Sequence, residues 1–462
     1  MSSARLRLTG VYSIGVDPIG VDKPGDHPRE YATGRGRGCW RSGMMGKRAG
    51  MFRVLLLHKD FPGQFRPLAL SLLADPRVEV RGLGQREEWR LPGLTPTLYR
   101  DMPAVAAGTH PYLFSAADHV IRGQCALRDA VGMAQQGYRP DLIIGHCGFG
   151  DTLYMKDLWP DVPLVGYFEF YYHSRGADVG FDPLFPVTLD DLARVRTLNV
   201  VNLLGLEAAD LGVCPTEWQR SLHPATFRDR LQVMHEGIDT DLACPGPVPA
   251  FALPDGTVLT QGDEVVTYVA RDLEPYRGFH VFMRALPEIL RRRPRARVVV
   301  AGGDGVSYGP PPAGGGTWRE HLLAEVGPAL GSSRVHFLGP VDHGRFLALM
   351  RLSSAHVYLT YPFVLSWSML EAMACGALLV ASDTPPVAEV VRDGVNGLLF
   401  PFFDAGMLAS RVVEALDSGP ALAPLRQRAR ETVRARFDAR TQAVPAWRQA
   451  LARFGCPAPA GT

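Results

Sequence analysis

The chain has 462 residues, 46% of them apolar and 21% charged, enough for two or three packed domains of ordinary globular composition. Its formal charge of +2 conceals a split: residues 1–50 carry nine Lys/Arg against four Asp/Glu, and the rest carries 40 against 43. A body so close to neutral excludes the broad cationic face that nucleic acid requires. The seven cysteines (Cys39, Cys125, Cys147, Cys214, Cys244, Cys375 and Cys456) are odd in number and form no C-x-x-C pair. They exclude a disulfide framework and a zinc site, and fit a reducing, cytoplasmic compartment. No run reaches the ~18 apolar residues of a membrane span.

Residues 1–50 are dense in Gly and Arg and lack strand or helix periodicity, so a disordered or wrongly assigned extension is expected there. They contain no apolar signal core, and Asp17, Asp22, Asp26 and Glu30 argue against a mitochondrial presequence. From Met51 the pattern changes. FRVLLLH reads as a buried strand, FPGQFRPLALSLLAD as a loop and an amphipathic helix, and RVEVRGLG as a second strand, together a βαβ unit. Gly63 stands alone in that loop, without a G-x-G-x-x-G fingerprint; it is either turn chemistry or a point of close ligand approach.

Residues 85–123 read as irregular, with a helix then running to Ala134. Pro140–Gly150 predicts a strand ending in His146, and Asp161–His173 another ending near Glu169. Both residues fall at carboxyl ends of parallel strands, where open α/β sheets hold their ligands. His146 reads equally as a satisfied structural histidine. Glu169, among Tyr167, Phe168, Phe170, Tyr171 and Tyr172, needs either partners or a raised pKa. Helices follow around Asp190–Glu207, then ADLGVCPTEWQRSL as a strand and a capped helix, and HEGIDTDLACP closes the half. The prolines of Pro245–Pro254 mark a linker.

In the second half Glu264–Ala270 is a strand, and Arg271 and Arg277 bracket a short loop before a helix, a spacing suited to gripping a diphosphate. RRRPRAR (Arg291–Arg297) reads as a solvated helix terminus, with peripheral contact to an anionic membrane face as the alternative. The strand VVVAGGDG brings Gly303 to a loop that permits close nucleotide approach, and Tyr308–Thr317 reads as a flexible insertion. Ala355–Thr360 is a buried strand. Beyond it Ser366 and Ser368 are placed as N-caps of a helix that Gly376 stops, with Trp367 between them. Free N–H groups at that helix start suit a phosphate, and Glu371, one turn in, suits ribose hydroxyls or merely complements the helix dipole. Pro385–Phe400 adds a helix, a turn and a strand, and helices continue to about Phe454.

The run YPFVLSWSMLEAMACG (Tyr361–Gly376) resembles the signature of the family 4 (group 1) retaining glycosyltransferases, with Glu371 on the second of that family's two glutamates. Arg271 and Arg277 resemble the Arg and Lys of its diphosphate loop, HEGIDTDLACP its "NGVDTxxFxP" turn, and Gly339–Val341 its base-contacting turn. The resemblance covers about residues 51–454 and is weaker in the first half. It implies an α/β chain of two Rossmann-like domains facing across a cleft (the GT-B fold), with the C-terminal helix crossing back to the first. The expected parts are an extension at 1–50, an acceptor domain at 51–244, a nucleotide-sugar domain at 245–435, and the returning helix and tail at 436–462.

The implied reaction transfers a sugar from a nucleoside diphosphate donor to a glycan, lipid-linked or small-molecule acceptor with retention. Arg271, Arg277, Glu169 and His146 are the expected catalytic groups. Gly63, Gly303, Val341, Ser366, Trp367, Ser368 and Glu371 are the expected donor site. No cofactor, metal or nucleic acid is expected. Two departures stand out: Phe363 occupies the position of the family's first glutamate, and Glu169 that of a histidine which contacts the donor sugar. They leave a non-catalytic nucleotide-sugar-binding partner, or a GT-B epimerase, as alternatives.

Overall fold

The computed structural model describes residues 50–458 apart from 249, 331–332 and 419–420. The expectation for the N-terminal extension therefore lies outside the described residues, save Gly50. The described residues from Met51 onward form one compact unit.

Two parallel sheets organise it. The first contains β1 (Phe52–Leu57), β2 (Val78–Gly84), β3 (Thr97–Leu98), β4 (Leu142–His146), β5 (Leu164–Tyr167), β6 (Leu211–Cys214) and β7 (Leu231–Val233), in the order β3-β2-β1-β4-β5-β6-β7. The second contains β8 (Val265–Asp272), β9 (Arg297–Gly303), β10 (Val335–Phe337), β11 (Ala355–Tyr358), β12 (Leu379–Ser382) and β13 (Leu398–Phe400), in the order β10-β9-β8-β11-β12-β13. Runs such as LIIG in β4 and VVVA in β9 are apolar on both faces because helices cover both faces of a parallel sheet. Each sheet reverses its winding beside its first strand, between β1 and β4 and between β8 and β11. Such switch points open a crevice at the carboxyl ends of the strands.

Several local expectations are corrected. The helix after the irregular stretch begins at Phe114 and runs to Gln135. Its Gly123 sits where a Cβ would stand 2.8 Å from the Gly150 carbonyl oxygen. The Pro-rich segment is no free linker: Val248, Phe251 and Leu253 are buried in the second core, and Phe251–Ala252 pairs with Val258–Leu259. Pro385–Phe400 holds the expected helix and strand, but the helix, Pro385–Ala388, is only four residues long. The arginines of 291–297 are largely paired, Arg291 with Glu288, and Arg293 and Arg295 with Glu264. Among the described residues no helix is long and apolar enough to cross a membrane.

The last helix, Val444–Ala452, returns to the first core. Trp447, Ala450 and Leu451 pack with Val54, Leu56 and Phe65. Buried beneath it, Arg448 Nη2 donates to Asp75 Oδ2 at 2.6 Å and Nη1 to the Ser71 carbonyl at 3.1 Å. Near the crossing, Ile238 and Asp438 form an isolated parallel bridge, and Gly237 sits at φ +97 where a Cβ would strike Ala439.

Candidate functional site

The two arginines expected to grip a diphosphate lie at the second switch point. Arg271, at the end of β8, is exposed, and its charge acts on Glu88 of the first domain. Arg277 is buried instead. Its Nη1 donates to Thr360 Oγ1 at 2.6 Å and to the Val364 carbonyl at 3.4 Å, which ties the β8 loop to the loop after β11. Tyr308 and Phe363 lie beside the guanidinium, 5.0 and 6.0 Å from its carbon. Among the described residues no carboxylate forms an ion pair with it. A buried cation without a counter-ion is costly, and it marks a place for an anion.

The neighbouring carboxylates are engaged elsewhere. Glu274 is fully buried and accepts from the backbone N–H groups of Ser307, Tyr308 and Gly309, at 3.2, 3.2 and 2.9 Å. The start of the supposedly flexible insertion is thereby pinned, and Tyr308 is set against Arg277. Burial pushes the Glu274 carboxyl up, against the pull of those three donors. Gly303 lies where a Cβ would meet Asp272 Oδ1 at 2.6 Å, so its lack of a side chain already serves the loop's own packing.

Beyond β11 the helix Trp367–Ala374 begins as expected, with one correction. Ser366 takes the cap position without a side-chain capping bond, and Ser368 sits inside the first turn. The Ser366 N–H donates to the Tyr358 hydroxyl at 3.1 Å. Trp367 reaches into the first domain, where its indole N–H lies 3.4 Å from Glu236 Oε2. Glu371 Oε1 stands 2.6 Å from His343 Nε2, and this bond to the carboxylate raises the His343 pKa. Val341, in the turn before His343, is partly buried against the second core.

At the first switch point two imidazoles stand side by side. His58 follows β1 and His146 ends β4; their ring centroids are 5.4 Å apart, and His146 stacks on Phe149 at 4.1 Å. Burial, then the neighbouring His146, pushes the His58 pKa down to about 3, so His58 is neutral. Gly63 has φ +49, and a Cβ there would stand 2.2 Å from the His58 ring. The glycine admits this imidazole.

Glu169 has found partners. Gln64 Nε2 donates to its Oε1 at 3.0 Å, and His146 Nε2 lies 3.6 Å from its Oε2. Burial pushes its pKa up, but the nearby His146 imidazole and the Gln64 bond outweigh it, so the pKa is lowered and the carboxylate stays ionised. His146 is therefore not a spectator in the strand. Sequence reading missed Gln64, whose only signal is its place one residue after Gly63. It also missed Glu236, in the HEG turn, which accepts from the Tyr167 hydroxyl and lies 3.2 Å from His235 Nε2.

The carboxyl-end loops of the two sheets meet directly. Phe170 packs on Phe363, and the Trp218 indole N–H donates to the Phe363 carbonyl at 3.2 Å. Glu389 accepts from the backbone N–H groups of Glu217 and Trp218 at 2.9 and 2.7 Å. A strap after Glu169 also crosses the junction. Its Asp178 accepts from the Tyr276 hydroxyl, and its Asp182 accepts from the Tyr361 hydroxyl at 2.6 Å and sits 3.1 Å from His280 Nε2. Among the described residues no group of three or more His, Cys, Asp or Glu could hold a metal ion.

Two family models match the chain: Glycosyl transferase family 4 group over residues 76–243, and Glycosyl transferases group 1 over residues 253–436. D-inositol 3-phosphate glycosyltransferase of Mycolicibacterium smegmatis is 31% identical over 202 residues, 44% of this chain and 43% of that protein. The Nocardia farcinica protein of the same name is 34% identical over 175 residues, 37% of this chain and 36% of its own. The chain thus matches less than half the length of these curated relatives. Sucrose-phosphate synthase from Thermosynechococcus elongatus superposes with a TM-score of 0.64 at 18% identity, covering 88% of this chain and 100% of that one. Anabaena HepE in complex with UDP-glucose gives 0.60 at 16% identity, covering 87% and 99%. These likenesses establish the two-domain GT-B fold, and the two family matches, one over each half, place the protein: the chain belongs to the family 4, group 1 glycosyltransferases.

Proposed function

We propose that the protein transfers a sugar from a nucleoside diphosphate donor to an acceptor with retention at the anomeric carbon. The observation that carries this reading is Arg277: a buried guanidinium at the second switch point, without an ion-paired carboxylate, which reaches from the β8 loop to the loop after β11. Charge develops on the leaving diphosphate as the glycosidic bond breaks. A cation already fixed in place stabilises that charge without reorganisation. Arg271 adds a second positive charge at the mouth, and the N–H groups at the start of the helix Trp367–Ala374 add the positive end of a dipole. Glu371 Oε2 has no protein partner among the described residues and is free to accept from ribose hydroxyls.

On the facing side Glu169, kept ionised by Gln64 and His146, accepts from hydroxyls of the sugar undergoing transfer. The leaving phosphate takes the acceptor proton, so no protein base and no metal enters the step. The acceptor binds against the first domain. D-inositol 3-phosphate, named for the curated relatives, is one small-molecule candidate to try, and UDP-glucose, seen with HepE, one donor. Nucleotide release from a panel of nucleoside diphosphate sugars tests the reading, with and without acceptors. Turnover supports it; tight nucleotide binding with no release under any condition would instead make the protein a binding partner of another transferase.

A further inference from the structure

Besides the phosphate grip, a set of side chains from both domains converges on Glu371. Its Oε1 lies 2.6 Å from His343 Nε2, at the start of the helix His343–Leu352. Edge-on to the His343 ring, with centroids 6.5 Å apart, stands the indole of Trp89, which belongs to the segment after β2 in the other domain. The Arg66 guanidinium lies 4.9 Å from the centre of that indole. Trp89 is 40% exposed, and the His343 and Glu371 side chains are 33% and 18% exposed, so these three groups border solvent.

An indole left this far in water forgoes much of the burial that large aromatics gain. Here it stands beside a carboxylate with one unengaged oxygen and next to the Val341–His343 turn. An aromatic face for a planar base and an acceptor for a diol are the two things a nucleoside requires.

We propose that Trp89 is a nucleoside-binding residue contributed by the first domain. Its indole covers the base of a nucleoside diphosphate while Glu371, oriented by His343, holds the ribose. The proposal rests on the reading of the second domain as the donor site and adds to it: the nucleoside is gripped by both domains, whose side chains already meet at Trp89 and His343. His343 is a positioning residue, since it keeps Glu371 turned toward the ribose and stands against the indole.

The test is a titration of the full chain and of Trp89→Ala and Trp89→Phe by calorimetry, with uridine, UDP, guanosine, GDP and inorganic pyrophosphate as probes. Trp89→Ala is expected to weaken a nucleoside and its diphosphate alike, by roughly tenfold, the scale of one aromatic–base stack. Pyrophosphate affinity should not change, and Trp89→Phe should retain most of the nucleoside binding. Equal nucleoside diphosphate affinity in the parent and Trp89→Ala would overturn the proposal and leave the donor-site reading standing. A parent protein that binds pyrophosphate but none of the nucleoside diphosphates more tightly would overturn both.

Discussion

The rings of Phe363 and Phe170 meet across the domain junction with centroids 4.6 Å apart and planes at 63°. Tyr276 and Tyr308 complete the cluster at 5.3 and 5.2 Å from Phe363, and Arg277 lies against the same ring. Where the resemblance implies a glutamate, this chain has an aromatic contact that joins the halves and lines the arginine.

Phe363→Ala is expected to destabilise the protein by about 3 kcal/mol, the lower end for emptying a packed aromatic site. Phe363→Glu should cost similar stability and also weaken nucleoside diphosphate binding, because the new carboxylate would pair with Arg277. Urea unfolding measures the first effect, and calorimetry the second. Unchanged diphosphate affinity in Phe363→Glu would separate Arg277 from the ligand.

Arg277→Ala should reduce nucleoside diphosphate affinity by tenfold or more, since a charge-assisted bond contributes roughly 1.5–3 kcal/mol. Arg271→Ala should have the smaller effect, because its side chain is exposed and partly screened. Free nucleoside should bind both variants as it binds the parent. Equal small losses for both ligands would place the arginines outside the phosphate site.

Glu169→Gln preserves shape, and with it the Gln64 contact, while removing the charge held beside His146. Turnover should fall by two orders of magnitude or so, the scale of one lost transition-state contact. Nucleoside diphosphate affinity should stay within twofold of the parent, since the proposed phosphate site lies in the other domain. Parent-like turnover would make Glu169 a structural anchor of the loop that carries Gln64.

The Asp75–Arg448 pair sets an acid limit on stability. Hydrogen bonds from Arg77, then those from Arg448, hold the Asp75 carboxyl well below its ordinary range, despite burial acting the other way. A carboxylate depressed in the folded state stabilises above its unfolded pKa, and that contribution fades as pH falls below it. Asp75→Asn should therefore flatten the loss of melting temperature between about pH 4 and pH 2. At pH 7 it should destabilise by about 3 kcal/mol, because Arg448 is left buried without its anion. A variant that melts as the parent does at pH 7 would show that the C-terminal helix docks by apolar packing alone.

Much of the architecture is legible in the residues because it follows from local periodicity. LIIG and VVVA can only be strands covered on both faces, and Arg271 and Arg277 must fall at a strand-to-helix turn whatever packs around them. Glu371 is readable for the same reason, one turn into a helix that begins at the end of a strand. What local pattern cannot carry is the identity of partners far away in the chain. Glu169 and Gln64 are 105 residues apart, Trp89 and His343 are on different domains, and only the folded switch points bring them together. The difference between the two arginines is likewise tertiary: the same side chain is exposed at 271 and buried at 277, because the loop after β11 folds over one and not the other. Gly63 shows both sides of this. That the chain turns there is local, but that the glycine makes room for His58 depends on where β1 ends and how the loop folds back over it.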